Sequence, residues 1–133
     1  MVALVTTQVT SNHQEQIWFG DTGATCHVTN DKSGLFDTMP IEERIRVGDG
    51  HFVPCILQGS LMLKAPQGDG SFRQFKLEKV KFVPSFFCNL FSITAAMKKG
   101  AEIRTQGGNM MLTKGQLKVL FERIDESSEG FML

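Results

Sequence analysis

The 133-residue chain has no net charge, no long apolar run and no closely paired cysteines, and each absence removes a class of function. Fourteen basic residues balance fourteen acidic ones, and the charges are scattered without a basic run. No field of one sign draws in phosphate backbones, so direct nucleic-acid binding is not expected. No stretch approaches the roughly 18 apolar residues that cross a bilayer, so no membrane association is expected. The first ten residues, uncharged and threonine-rich, lack the basic start and apolar core of a secretory leader. Cysteine is limited to Cys26, Cys55 and Cys88. An odd count at wide spacing reads as free thiols in a reducing compartment, and without a CxxC pair a structural metal is not expected.

What is present fits one soluble globular domain. Hydrophobic residues make up 41% of the chain and charged residues 21%, enough to bury one core and too apolar for disorder. Residues 1–16 read as an N-terminal strand (Val2 to Val9) and a polar connector, and residues 17–133 as a single domain. A short apolar run, Ile17-Trp18-Phe19, leads into Gly20-Asp21-Thr22-Gly23, whose glycines mark a tight turn; Ala24 to Val28 is expected to leave it as a strand. Ile41 to Val47 and Phe52 to Leu57 flank a Gly-Asp-Gly turn as one hairpin. Gly59 to Lys64 and Phe72 to Val83 flank Pro66 to Gly70 as a second. In the last of these runs Phe75, Leu77, Val80 and Phe82 alternate for part of its length, as in a half-buried strand. Leu90, Ile93, Thr94 and Met97 share a helical face, with Lys98 and Lys99 late and Gly100 after them, so a helix is expected over Leu90 to Lys99. Three further strand-like runs follow: Ala101 to Thr105, Met110 to Thr113 and Gln116 to Ile124. The expectation is a mostly β domain with one late short helix, as a barrel or compact sandwich.

Chemistry concentrates at Asp21-Thr22-Gly23-Ala24. A carboxylate acting as general acid or base needs a rigid loop, nearby donors and an open cleft. Asp-Thr-Gly alone is weak evidence, since such tripeptides occur in roughly one chain in twenty of this length, and an ordinary Asx turn explains it equally well. The context is more specific. Trp18-Phe19-Gly20-Asp21-Thr22-Gly23-Ala24-Thr25-Cys26-His27-Val28-Thr29 resembles the signature of copia-type retrotransposon polyproteins, whose protease is of the retropepsin kind. Val47-Gly48-Asp49-Gly50, Phe82-Val83-Pro84, Asn89-Leu90-Phe91-Ser92 and Gly130-Phe131-Met132-Leu133 agree in order with further stretches of that family. The match runs roughly from Trp18 to Leu133.

The resemblance implies an all-β, retropepsin-like acid protease barrel with one short helix in its C-terminal half, one lobe per chain. It implies Asp21 as the catalytic aspartate, with Thr22, Gly23 and Ala24 supporting the loop. Val47, Gly48, Asp49 and Gly50 would form the substrate-binding flap, and Leu90, Phe91 and Ser92 would pack behind the active loop. Serine at 92 departs from the glycine of retroviral enzymes, which leaves that packing open. The chain holds one such motif, and an aspartic protease needs two carboxylates on one water, so a homodimer sharing Asp21 from each copy is expected. The family further implies processing of the element's own polyprotein, inside cytoplasmic virus-like particles, without metal or cofactor.

The other residues have plainer readings. His27 is expected to hydrogen-bond within the fold, and His13 and His51 to lie at the surface. Cys26 has no His or Asn partner pattern of a thiol protease. The seven methionines and eleven phenylalanines are read as core and cleft lining, and Trp18 as packing. An inactive or domesticated module for dimerisation or binding is the competing functional class.

Overall fold

The computed structural model describes residues 2–8, 15–46 and 50–123. The 9–14 connector with His13, the flap positions Val47, Gly48 and Asp49, and the 124–133 tail lie outside the described residues. In chain order the elements are β1 (Val2–Gln8), β2 (Glu15–Asp21), β3 (His27–Thr29), β4 (Phe36–Arg46), β5 (Phe52–Pro66), β6 (Phe72–Phe82), β7 (Asn89–Ser92), α1 (Ile93–Lys98), β8 (Glu102–Gln106), β9 (Asn109–Lys114) and β10 (Leu117–Arg123). Among the described residues the protein is mostly β with one short helix, as its sequence pattern suggests.

The strands form one sheet in the order β4-β5-β6-β3-β7-β2-β1-β10-β9-β8, and a further β1–β5 pairing closes its centre into a barrel. β4 is left as a flange on β5, and the β8–β10 meander as a flange on β1. Closure depends on β5, whose first part pairs with β4, whose part from Leu57 to Pro66 pairs with β6, and whose Leu63 and Lys64 also meet β1. The two expected hairpins are thus joined through one continuous strand. Gly59 does not interrupt it, because a bulge there absorbs the change of register. Leu61 faces Leu77 and Gly59 faces Val80, so β6 carries one extra residue, with Lys79 at φ 55°. The insertion puts Leu77 and Val80, three positions apart, on the same buried side, which is why the sequence alternates only in part.

β3 and β7 are buried throughout, as central strands covered on both faces must be. One face looks into the barrel, where Trp18, Leu61, Leu63, Val80, Phe91 and Phe121 pack. The other carries a smaller cluster of Val28, Cys55, Val83, Cys88 and Leu90. Neighbouring residues in these strands therefore serve opposite sides: Leu90 the small cluster, Phe91 the barrel.

This two-sided burial overturns the expected helix start. Leu90, Phe91 and Ser92 belong to β7, and the helix covers only Ile93–Lys98. Opposite burial of adjacent residues suits a strand, not one helical face, and Met97, expected on that face, is exposed. Ser92 sets the boundary by capping the helix, its Oγ accepting the Ala95 N–H at 3.0 Å. Two strand starts also shift. The chain after the Asp21 turn becomes a strand at His27 rather than Ala24, and β4 begins at Phe36 rather than Ile41.

Candidate functional site

Asp21 ends β2 beside β7, in parallel register with Ser92. The chain then turns sharply, and the Gly23 N–H donates to Asp21 Oδ1 at 2.7 Å. A Cβ on Gly23 would lie 3.3 Å from that oxygen, so glycine permits the approach. Two hydroxyls at the start of α1 hold the loop from behind. Thr94 Oγ1 donates to the Thr22 carbonyl at 2.8 Å, and Ser92 Oγ donates to the Ala24 carbonyl at 2.6 Å. Ser92 is fully buried and serves the loop and the helix cap together. Its substitution for the smaller residue thus supplies a loop contact that glycine cannot make.

Beneath this lies a second tier. Buried His27 accepts the Ser92 backbone N–H through Nδ1 at 2.9 Å and lies 4.9 Å from the Phe91 ring. Burial, helped by the Lys99 charge, lowers its pKa to about 4, so it is neutral at physiological pH with its proton on Nε2. The expectation that His27 hydrogen-bonds within the fold holds. Asn89 ties the same strands together: Thr29 Oγ1 donates to its Oδ1 at 2.8 Å, and its Nδ2 donates to the Ile17 carbonyl at 3.4 Å. Gly20 precedes Asp21 because a side chain there has no room. Its Cβ would lie 2.8 Å from Phe121 Cδ1, an atom of a fully buried ring.

In front of the loop is a cleft of about 660 Å³. Asp21, Gly23 and Ala24 line it, together with Val28 and Leu90 from the small cluster. Glu43, Arg44, Ile45 and Arg46 from β4 and Phe52 from β5 also line it, so the β4–β5 hairpin borders the cleft that holds the carboxylate. Gly50, with φ +89°, is exposed near its tip and does not line the cleft.

The structure brings Asp21, Gly23, Ala24 and Leu90 to one cleft and places Ser92 directly behind it. Thr22 is exposed on the loop. Phe91 instead points into the barrel, its ring 5.2 Å from Phe121. The sequence pattern gives no site role to Thr94, Glu43 or Lys81. A serine just ahead of a short apolar run is a capping signal that could have marked Ser92; nothing local marks Glu43 or Lys81.

The thiols are not nucleophiles. Cys26 lines the cleft, but burial raises its pKa, the reverse of what an activated thiolate needs. Burial, with the Asp21 charge adding to it, pushes Cys88 up to about 12. The chemistry open to this cleft is that of a carboxylate held by a backbone donor.

Comparison with known proteins agrees with this layout. Residues 18–101 match the family described as "Pol polyprotein, beta-barrel domain". Over 87 residues, 64% of the chain, the sequence is 32% identical to a "Retrovirus-related Pol polyprotein from transposon RE2" of Arabidopsis thaliana, of which it spans 6%. A glycine-bounded Asp loop, a closed β-barrel and the family match across most of the barrel lead to one conclusion: the chain belongs to the β-barrel domain family of Pol polyproteins and is a retrotransposon Pol region.

Proposed function

We propose that this domain is the aspartic endopeptidase of its polyprotein, active as a homodimer in which each copy contributes Asp21 to one shared site. The observation that carries the reading is the placing of Asp21. It ends β2 beside the buried β7, takes an N–H bond from Gly23 on Oδ1, and lines a cleft that the β4–β5 hairpin also lines. Two carboxylates roughly 3 Å apart cannot both ionise easily, so such a pair shares one proton. One carboxylate removes a proton from water while the other protonates the scissile carbonyl, and the activated water attacks the carbonyl carbon. The aspartate pair activates water directly, so the reaction needs no cofactor or metal.

The single Asp-Thr-Gly of the chain requires the second carboxylate to come from another copy. Thr22, exposed on a loop whose carbonyl is fixed by Thr94, suits a contact across the two-fold axis. On this reading Val47, Gly48, Asp49 and Gly50 serve as the substrate-binding flap, and Leu90, Phe91 and Ser92 support the loop. The substrate is the element's own polyprotein, processed in cytoplasmic virus-like particles without membrane or direct nucleic-acid contact.

The test is cleavage of that polyprotein by wild type and Asp21→Asn, with and without pepstatin, from acid to neutral pH and over a dilution series. The expected result is cleavage by wild type alone, blocked by pepstatin, with a rate per copy that falls on dilution. A folded, dimeric wild type that cleaves nothing would turn the reading to an inactive or domesticated binding module. A rate per copy unchanged far below the dimer dissociation constant would reject the shared site.

A further inference from the structure

Asp21, Arg44 and Arg46 line the cleft together with Glu43 and Lys81, and the last two form an ion pair. On β4, Ile41 and Ile45 pack against the small cluster, and Glu43, two residues from Ile45 in regular register, lies on the same face. Its register partner is the buried Cys55. On β6, Lys81 stands in parallel register with Val28 of that cluster. Lys81 Nζ reaches Glu43 Oε2 at 2.8 Å and also donates to Gln58 Oε1. The lysine side chain is 12% exposed, whereas Glu43 is about half exposed. Glu43 and Lys81 both line the cleft that holds Asp21.

Removing a lysine side chain from water is unfavourable, and replacing such a pair by packed hydrophobic residues is often neutral or stabilising. A pair of this kind in a groove therefore points to a role in recognition. An ammonium group has three N–H donors. Glu43 and Gln58 accept two and fix its position; among the described residues the third has no acceptor.

We propose that Lys81, held by Glu43 and Gln58, forms a specificity subsite that takes a substrate side chain ending in a carboxylate or carboxamide. This rests on the endopeptidase reading above. A peptide lying along the cleft between Asp21 and the β4–β5 hairpin passes this ammonium, whose remaining donor matches Asp, Glu, Asn or Gln and leaves an aliphatic side chain without a partner. Glu43 has a second effect: its charge offsets that of Lys81, so the subsite accepts amides as well as acids.

The experiment digests a randomised peptide library with wild-type dimer, Lys81→Met, Lys81→Arg and Glu43→Gln, reading cleavage products by mass spectrometry. Thermal melts confirm that each variant is folded. Wild type is expected to favour acid or amide side chains at one position relative to the cut by about tenfold, the scale of one charge-assisted hydrogen bond. Lys81→Met should lose that preference yet still cleave peptides apolar there. Lys81→Arg should keep it, and Glu43→Gln should shift it from amides towards acids. A wild-type profile without the preference, or a Lys81→Met profile identical to wild type, overturns the subsite while leaving the endopeptidase reading intact. A folded wild type that cleaves nothing rejects both.

Discussion

His27 and Ser92, 65 positions apart in sequence, are joined by a buried hydrogen bond in which the imidazole Nδ1 accepts the serine backbone N–H. The bond requires a neutral ring. Folding lowers the His27 pKa from 6.5 to about 4, so between those values the unfolded chain binds a proton that the folded chain does not. Stability is therefore full above pH 6.5 and falls as pH drops towards 4. The loss totals about 3 kcal/mol, at about 1.4 kcal/mol per unit. Denaturant midpoints of wild type and His27→Gln between pH 7.5 and 4 check this. The wild-type curve should drop more steeply through that window, and parallel curves would remove His27 as the cause.

Gly20→Ala tests the contact between the strand that carries Asp21 and the β8–β10 meander. The new methyl meets Phe121 Cδ1 at 2.8 Å and Ile93 Cδ1 at 3.2 Å, both on fully buried side chains. Overpacking of this kind costs about 1–3 kcal/mol. Phe121→Leu in the same chain should recover part of the loss, so the double variant should be more stable than the sum of the single effects. Strict additivity in urea titrations would mean that the two sites do not touch.

The two roles of Ser92 can be separated by substitution. Glycine is nearly as good a helix cap as serine, whereas alanine is poor. Ser92→Gly should therefore lose mainly the bond to the Ala24 carbonyl, about 1 kcal/mol. Ser92→Ala should lose that bond and the cap together, about 2 kcal/mol. Hydrogen exchange at the Ala95 amide should quicken more in the alanine variant, and equal exchange in both would contradict the capping role.

The three thiols should resist labelling. Cys55 and Cys88 are buried, Cys88 is pushed up to about 12, and Cys26 is raised by burial. Ellman's reagent at pH 7.5 should react slowly, and with Cys26 alone, until denaturant releases all three. Rapid native modification of Cys88 would show that the cluster behind the loop opens readily.

Sequence reading succeeded where a feature depends on its neighbours. The turn at Gly20 to Gly23 and the hairpin around the Gly-Asp-Gly run each rest on glycines a few positions apart. It failed where a residue's environment comes from afar. Leu90 and Phe91 suit a helix or a strand by local pattern, and only packing on both sides of β7 decides. Glu43 meets Lys81 across 38 positions, and nothing local predicts a lysine on that cleft wall. The extra residue at Lys79 likewise makes sense only opposite Gly59.

The barrel closes on itself, so the described sheet ends in only two free edges, β4 and β8. Exposed edges invite strands from other molecules, and such pairing ends in aggregation. β4 has Pro40, two register irregularities and the charges of Glu42, Arg44 and Arg46; β8 is short and carries Glu102 and Arg104. Many copies of a polyprotein packed side by side would bring these edges close together. The irregular, charged margins deny them the generic route of stitching edge to edge, so the domain tolerates crowding that would threaten a barrel with flat borders.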